Sequence, residues 1–150
     1  MVEILVDADA CPVKDEIYAV AARYGLRVIL VANQRLSIPE GLGIRMVRVG
    51  AEPDAADDWI AENLRPSDVI ITADIPLAAR CLAAGSRVLG TNGEPFNEDS
   101  IGNAVALRGL KTELRERGMN TFGPRPLSPR DRSRFSSRLD AMVQQALRED

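Results

Sequence analysis

Histidine is absent from the 150 residues, which removes Ser–His and Cys–His nucleophilic catalysis and every His-ligated metal site. Cysteine occurs only at Cys11 and Cys81, outside any CxxC pair, so the chain offers neither a disulfide scaffold nor a cysteine-rich zinc site. Aromatic residues make up 4%, a poor basis for a platform on which unpaired bases stack. No run of about 18 apolar residues is present, so no membrane span is available. The first residues enter a strand pattern with no basic-then-apolar leader before it, and the cytoplasm is the expected location. Any chemistry must therefore come from carboxylates, amides, hydroxyls, Arg, Lys or a thiol.

What is present is ordinary in bulk and uneven in charge. Hydrophobic residues at 45% and charged residues at 27% suit one globular domain with a sizeable core. Residues 1–100 carry 9 basic and 16 acidic side chains, whereas residues 101–150 carry 10 basic and 6 acidic. An acidic body with a basic tail fits a cation site beside an anionic ligand, or a solvated surface of uneven composition. Seventeen of the 19 basic residues are arginine, which suits bidentate phosphate binding or follows from codon usage.

Five short apolar runs punctuate the first ninety residues: 4–6, 28–31, 46–47, 69–71 and 88–89. They are continuous rather than alternating, as in parallel strands buried on both faces. Helical spacing falls between most of them: Val13, Ile17, Val20 and Tyr24 after Pro12; Ala56, Trp59, Ile60 and Leu64; and Leu77, Ala78, Cys81 and Leu82 after Pro76. Gly25 and Gly85 stop the first and third helices. The stretch from strand two to strand three has no helical period and reads as a long loop. This alternation predicts a three-layer α/β sheet over residues 1–93. Residues 94–150 read as a helical extension packed on it within the same domain. One helix runs from Asn97 to near Gly118 through Ile101, Ala104, Val105, Leu107 and Leu114. A Gly/Pro-rich loop follows, then a helix opened by a Ser128–Asp131 capping box with Phe135, Leu139, Met142 and Ala146 on its apolar face.

The chemistry-bearing residues cluster at strand ends. The first strand runs into Asp7 and Asp9 and the fourth into Thr72 and Asp74, and ligands of open α/β sheets bind outside such carboxyl ends where the winding reverses. Setting strand one beside strand four makes Asp7 and Asp74 face each other. Each closes an apolar run with no capping role apparent. Asp54, Asp57 and Asp58 open the second helix near the same crevice, or serve only its dipole. Asp9 either joins the cluster or braces the turn into the first helix. Converging carboxylates repel, and either protons or a divalent cation resolve the repulsion; Mg²⁺ or Mn²⁺ suits a set of hard oxygens without histidine. Asp7 and Asp74 are the expected direct ligands, with Asp9, Asp54 and Asp57 completing the shell or positioning water. Asn33 and Thr72 are expected to hydrogen-bond substrate or water. Cys11 reads as a small packing or capping residue and Cys81 as core.

The strings DADACPVK at 7–14, ANQ at 32–34, DAAD at 54–57, TADIPLA at 72–78 and RDRSRF at 130–135 together resemble the bacterial YaiI/YqxD family of uncharacterised proteins, over nearly the whole chain. That resemblance implies a PIN-like fold with strand order 3-2-1-4-5 and two added C-terminal helices. It further implies a Mg²⁺- or Mn²⁺-dependent ribonuclease whose acids map onto Asp7, Asp54 or Asp57, and Asp74. DADACP is denser than a usual PIN opening, and the inference of activity from fold is by analogy.

A basic stripe of Arg130, Arg134 and Arg138, with Arg132 beside it, and a second group of Arg108, Lys111, Arg115 and Arg117 would neutralise RNA phosphates without reading bases, or form a solvated face. Self-association as a homodimer is left open. Two rival functions stand beside the nuclease. The opening ILVDADAC resembles that of haloacid-dehalogenase-type phosphatases, with Asp7 as nucleophile and Thr72 as the hydroxyl, although no later Asp-Asp pair follows a strand. Alternatively, the chain binds RNA or a protein partner without cutting.

Overall fold

The computed structural model describes residues 1–9, 11–39, 41, 43–101 and 127–150. The chain alternates strand and helix as its periodicity predicts: β1 (Glu3–Asp7), α1 (Lys14–Tyr24), β2 (Arg27–Ala32), β3 (Ile44–Arg48), α2 (Ala55–Asn63), β4 (Val69–Ile71), α3 (Ile75–Ala83), β5 (Arg87–Leu89), β6 (Pro95–Phe96) and α4 (Pro129–Glu149). The sheet order is β3-β2-β1-β4-β5-β6, with every pair parallel except β5–β6. Five strands thus stand in the expected order. The two-residue β6 was not anticipated, being too short for a period, and Pro95 is tolerated there because an edge strand can spare an N–H.

Side-chain alternation along the strands builds three layers. Ile4, Val6, Val28, Leu30, Val69 and Ile71 pack on one face against α1 and α4. Leu5, Ile29, Val31, Ile70 and Val88 pack on the other against α2 and α3. Both faces are covered, so the continuous apolar runs of these strands are explained.

Helix α1 starts two residues after Pro12 and ends at Gly25, whose φ of 65° lets its N–H cap the last turn. Residues 33–43 between β2 and β3 hold no regular element among those described, as expected for a loop. The capping box of α4 forms in full, Ser128 Oγ accepting from Asp131 N at 3.1 Å and Asp131 Oδ2 accepting from Ser128 N at 3.0 Å. Its buried face is Phe135, Leu139, Val143 and Ala146, so Val143 holds the core position expected of Met142, which is only partly buried. Residues 98–101 are helical behind Asn97, whose Oδ1 accepts from Ser100 N at 2.8 Å. The rest of that expected helix, the following loop, and Arg108, Lys111, Arg115 and Arg117 lie outside the described residues.

The two ends of the sheet are set by α4. Its start touches the start of α1, with Arg132 donating to Pro12 O at 2.8 Å and pairing with Glu16. Its end meets the amino ends of the strands, where Glu149 pairs with Arg87 and Asp150 with the Met1 amino group. Gly93 permits the close approach at the first end: a Cβ there would lie 3.2 Å from Phe135 Cα, and its φ is 85°. The first turns of α4 therefore sit at the carboxyl edge of the sheet. Among the described residues, no helix is long and apolar enough to cross a membrane.

Candidate functional site

Register decides what meets at the carboxyl edge. Val6 pairs with Ile71 across β1 and β4, so Asp7 and Thr72 are the next residues of two adjacent strands. Alternation turns both towards the α2–α3 face. Thr72 is fully buried, and its Oγ1 donates to Asp7 Oδ2 at 3.0 Å while accepting from Asp74 N at 2.9 Å. One hydroxyl thus ties the two expected ligands together. Its one proton is donated inside the fold and the side chain is fully buried, so Thr72 positions Asp7 where a substrate contact was expected. The same commitment removes the free hydroxyl that the phosphatase reading requires.

Asp74 does have a capping role, which corrects the reading of its sequence position. Its Oδ1 accepts from Leu77 N at 2.8 Å as the N-cap of α3. Asp7 and Asp74 each keep one carboxylate oxygen outside these bonds. Helix α2 lies over β1 and β2 and begins at the same edge, because it follows the carboxyl end of β3. Asp54 occupies its N-cap position without a side-chain capping bond, and Asp57 is in its first turn. Asp58 points elsewhere and pairs with Arg80 at 2.9 Å.

The electrostatics register this crowding. Burial lifts the Asp7 carboxyl above its ordinary range, the Thr72 hydrogen bond offsets part of that, and the charges of Asp74 and Asp9 add to it. Asp57 is pushed up to about 6, first by burial and then by Asp74, Asp7 and Asp54, with Arg80 opposing. Three segments of chain therefore bring negative charge into one region, and the opposing cation, Arg80, already pairs with Asp58.

Among the described residues, no three His, Cys, Asp or Glu side chains converge closely enough to hold one metal ion directly. The four-aspartate ligand shell of Asp7, Asp9, Asp57 and Asp74 is thus not assembled as a closed cage. The donor set still fits Mg²⁺ or Mn²⁺, since such ions keep several waters and commonly use one or two protein carboxylates. Asp7 and Asp74 would be those two.

The remaining expected residues divide. Asp9 Oδ2 accepts from Asn33 N at 2.9 Å, so this carboxylate braces the end of β2 to the β1–α1 turn. Asn33 is exposed at that end. Arg130 and Arg134 are exposed in the first turns of α4, at the same edge as the acids; Arg134 pairs with Asp131, and Arg132 with Glu16. Burial raises both thiols, Cys81 to about 12, so Cys11 and Cys81 are packing residues and not nucleophiles. A cavity of about 540 Å³ between Ser67, Arg87 and Asp150 lies at the opposite edge, and its Arg87 is already paired with Glu149. Sequence reasoning missed a second, smaller cleft beside Asp74 at Gly90, Thr91 and Asn92; its only signal was a turn-forming string after β5.

Residues 5–145 match the family described as "Uncharacterized BCR, YaiI/YqxD family". The chain is 53% identical over 148 residues to a UPF0178 protein of Bradyrhizobium sp. (strain ORS 278), covering 99% of this chain and 90% of that one. A UPF0178 protein of Rhodopseudomonas palustris (strain TIE-1) is 53% identical over 148 residues, covering 99% and 94%. One of Nitrobacter winogradskyi is 51% identical over 147 residues, covering 98% and 94%. No solved structure matches. With the α/β order, the strand-end aspartates and these likenesses in agreement across almost its entire length, the chain belongs to the YaiI/YqxD family.

Proposed function

We propose that the protein is a phosphodiesterase dependent on Mg²⁺ or Mn²⁺ that cleaves RNA at the carboxyl edge of its sheet. The observation that carries this reading is the uncompensated carboxylate group of Asp7, Asp57 and Asp74, two of whose members meet through Thr72. Asp7 and Asp74 would hold the ion through their remaining oxygens. When bound, the ion supplies charge neutralisation for the phosphate and a more acidic water.

The chain's own residues do the rest. Thr72 fixes the Asp7 carboxylate through Oδ2, and the α3 N-cap bond fixes Asp74, so neither acid reorganises when substrate arrives. Asp57, in the first turn of α2 beside these acids, is the carboxylate left to take a proton from the attacking water or return one to the leaving oxygen. The exposed arginines at the start of α4 stand at the same edge and suit backbone phosphates. A cytoplasmic setting would supply both RNA and Mg²⁺.

The test is cleavage of structured and single-stranded RNA by purified protein with Mn²⁺ or Mg²⁺. Asp7→Asn and Asp74→Asn should each lower the rate at least about 100-fold, and EDTA should abolish it. Equal cleavage by wild type and both variants would mark a contaminant and end the proposal. RNA binding without cleavage would make the protein a binding module.

A further inference from the structure

The second cleft lies between the β4–α3 and β5–β6 connections and has a volume of about 280 Å³, lined by Ala73, Ile75, Gly90, Thr91, Asn92 and Phe96. Ala73 and Ile75 flank Asp74, so the cleft opens beside the carboxylates. Pockets for drug-sized ligands run about 300–1,000 Å³, and this space suits one nucleoside. None of its lining side chains is charged, which suits a base and sugar better than a phosphate. Phe96 contributes an aromatic ring that is partly exposed at the wall.

The floor is a tight turn. Gly90 N donates to Glu94 O and Gly93 N donates to Gly90 O, both at 2.9 Å. A Cβ on Gly90 would lie 2.7 Å from Asn92 Oδ1, 3.2 Å from Glu94 O and 3.3 Å from the Phe96 ring, so glycine there lets the turn and the Asn92 side chain close over it. The turn also orients Asn92, a lining residue of the cleft. Its Oδ1 accepts from Glu94 N at 3.0 Å, which assigns the amide oxygen to the turn and Nδ2 to the opposite side of the amide. Its oxygen being tied to the turn, Asn92 offers a ligand chiefly its Nδ2 donors.

We propose that this cleft is the subsite for one unpaired nucleotide of the strand whose phosphate lies over Asp7 and Asp74, and that Asn92 donates to an exocyclic carbonyl of its base. Uracil at O4 and guanine at O6 offer that acceptor where cytosine and adenine carry an amino group. This deepens the nuclease reading and rests on it for the strand's identity. It also gives the chain a place to hold one base despite its scarcity of aromatics.

The experiment uses ¹⁵N-labelled full-length protein in EDTA, where no cleavage occurs, titrated with UMP, CMP, GMP and AMP. Amide shifts should concentrate at residues 73–75 and 90–92, with UMP favoured over CMP, and GMP over AMP, by about five-fold, the worth of one hydrogen bond. Asn92→Asp keeps the acceptor for Glu94 N but removes the donors, so it should reverse both preferences; all four probes carry the same charge, and its effect cancels in the ratios. Ala73→Trp, at the exposed rim, should abolish the shifts at 90–92. Shifts confined to other surfaces, no binding, or ratios unchanged by Asn92→Asp would overturn the subsite. Oligo(U) should perturb the same amides as UMP; perturbation by oligo(dT) alone would overturn the assignment to RNA. A protein that reads the base here yet never cuts RNA would sink the nuclease alone, whereas one that cuts without cleft shifts would sink the subsite alone.

Discussion

The two edges of one sheet handle negative charge in opposite ways. At the amino edge Asp68 is 1% exposed, yet its carboxylate accepts from Glu3 N, Arg65 N and the Arg65 guanidinium. Arg65 also pairs with Glu3, Arg87 with Glu149, and the Met1 amino group with Asp150. At the carboxyl edge Asp7 and Asp57 have their carboxyls raised, and the pairing cation, Arg80, bonds Asp58. Buried acid is thus matched by arginine where it serves the fold. Where it is left unmatched, the fold carries a repulsion that an external cation can relieve.

The contrast breaks most visibly at Asp68. Asp68→Ala removes the acceptor of two backbone N–H groups and leaves Arg65 facing Glu3 alone, which should cost about 3 kcal/mol in urea unfolding. Asp7→Asn, the matching change at the other edge, removes a repelled charge and keeps an acceptor for Thr72. Without divalent ions at neutral pH it should leave stability unchanged or raise it by up to about 1 kcal/mol. A loss comparable to that of Asp68→Ala would show that both edges are built for stability, and the contrast would vanish.

These particulars mark what the sequence could tell. The layer order and the meeting of Asp7 with Asp74 were legible because continuous apolar runs specify buried parallel strands and the winding reversal brings strands one and four together. The capping by Asp74 was missed, although Ile75 and Pro76 directly after it carry the signal of a helix start. The Thr72 bridge was not legible, because it depends on the Val6–Ile71 register, which two equally apolar strands leave undetermined. Asp68 carries no signal of its burial in the sequence, since one of its bonds comes from Glu3 N, 65 positions away. The cleft beside Asp74 needs the turn at Gly90–Gly93 and β6 together, neither of which has a period.

Protons and metal should sharpen the same contrast by smaller amounts. The Asp57 carboxyl titrates near 6 in the folded protein against 3.8 as its ordinary value. Between those values the folded form holds the extra proton, so stability falls as pH rises through about 4 to 6 and is level above. For a partly exposed carboxylate the fall should be about 1 kcal/mol after solvent screening. Asp57→Asn should flatten the curve in that window and match wild type only below it, by thermal unfolding in EDTA. At pH 7, about 10 mM Mg²⁺ acting at a millimolar site should restore about 1 kcal/mol to wild type and nothing to the Asp7→Asn, Asp74→Asn double variant. A pH curve that rises through the window would mean that Asp57 is paired in the fold.

The smallest effects belong to the arginines of α4, which stand at the acidic edge and are partly spoken for. Arg138 reaches Glu94 at 3.6 Å, both side chains being exposed, and such a pair is worth under about 0.5 kcal/mol. Arg132 is held more firmly by Pro12 O and Glu16 and ties α4 to α1. Arg138→Ala should therefore leave unfolding within about 0.5 kcal/mol, whereas Arg132→Ala should cost about 1 kcal/mol. Arg130→Ala separates a surface role from a phosphate-binding one. If Arg130 neutralises one RNA phosphate, its loss should weaken binding of every sequence equally and reduce the slope of log affinity against log salt by about 0.7 for a single strand. An unchanged slope would return the stripe to solvent, and the acids would then hold the edge without basic help.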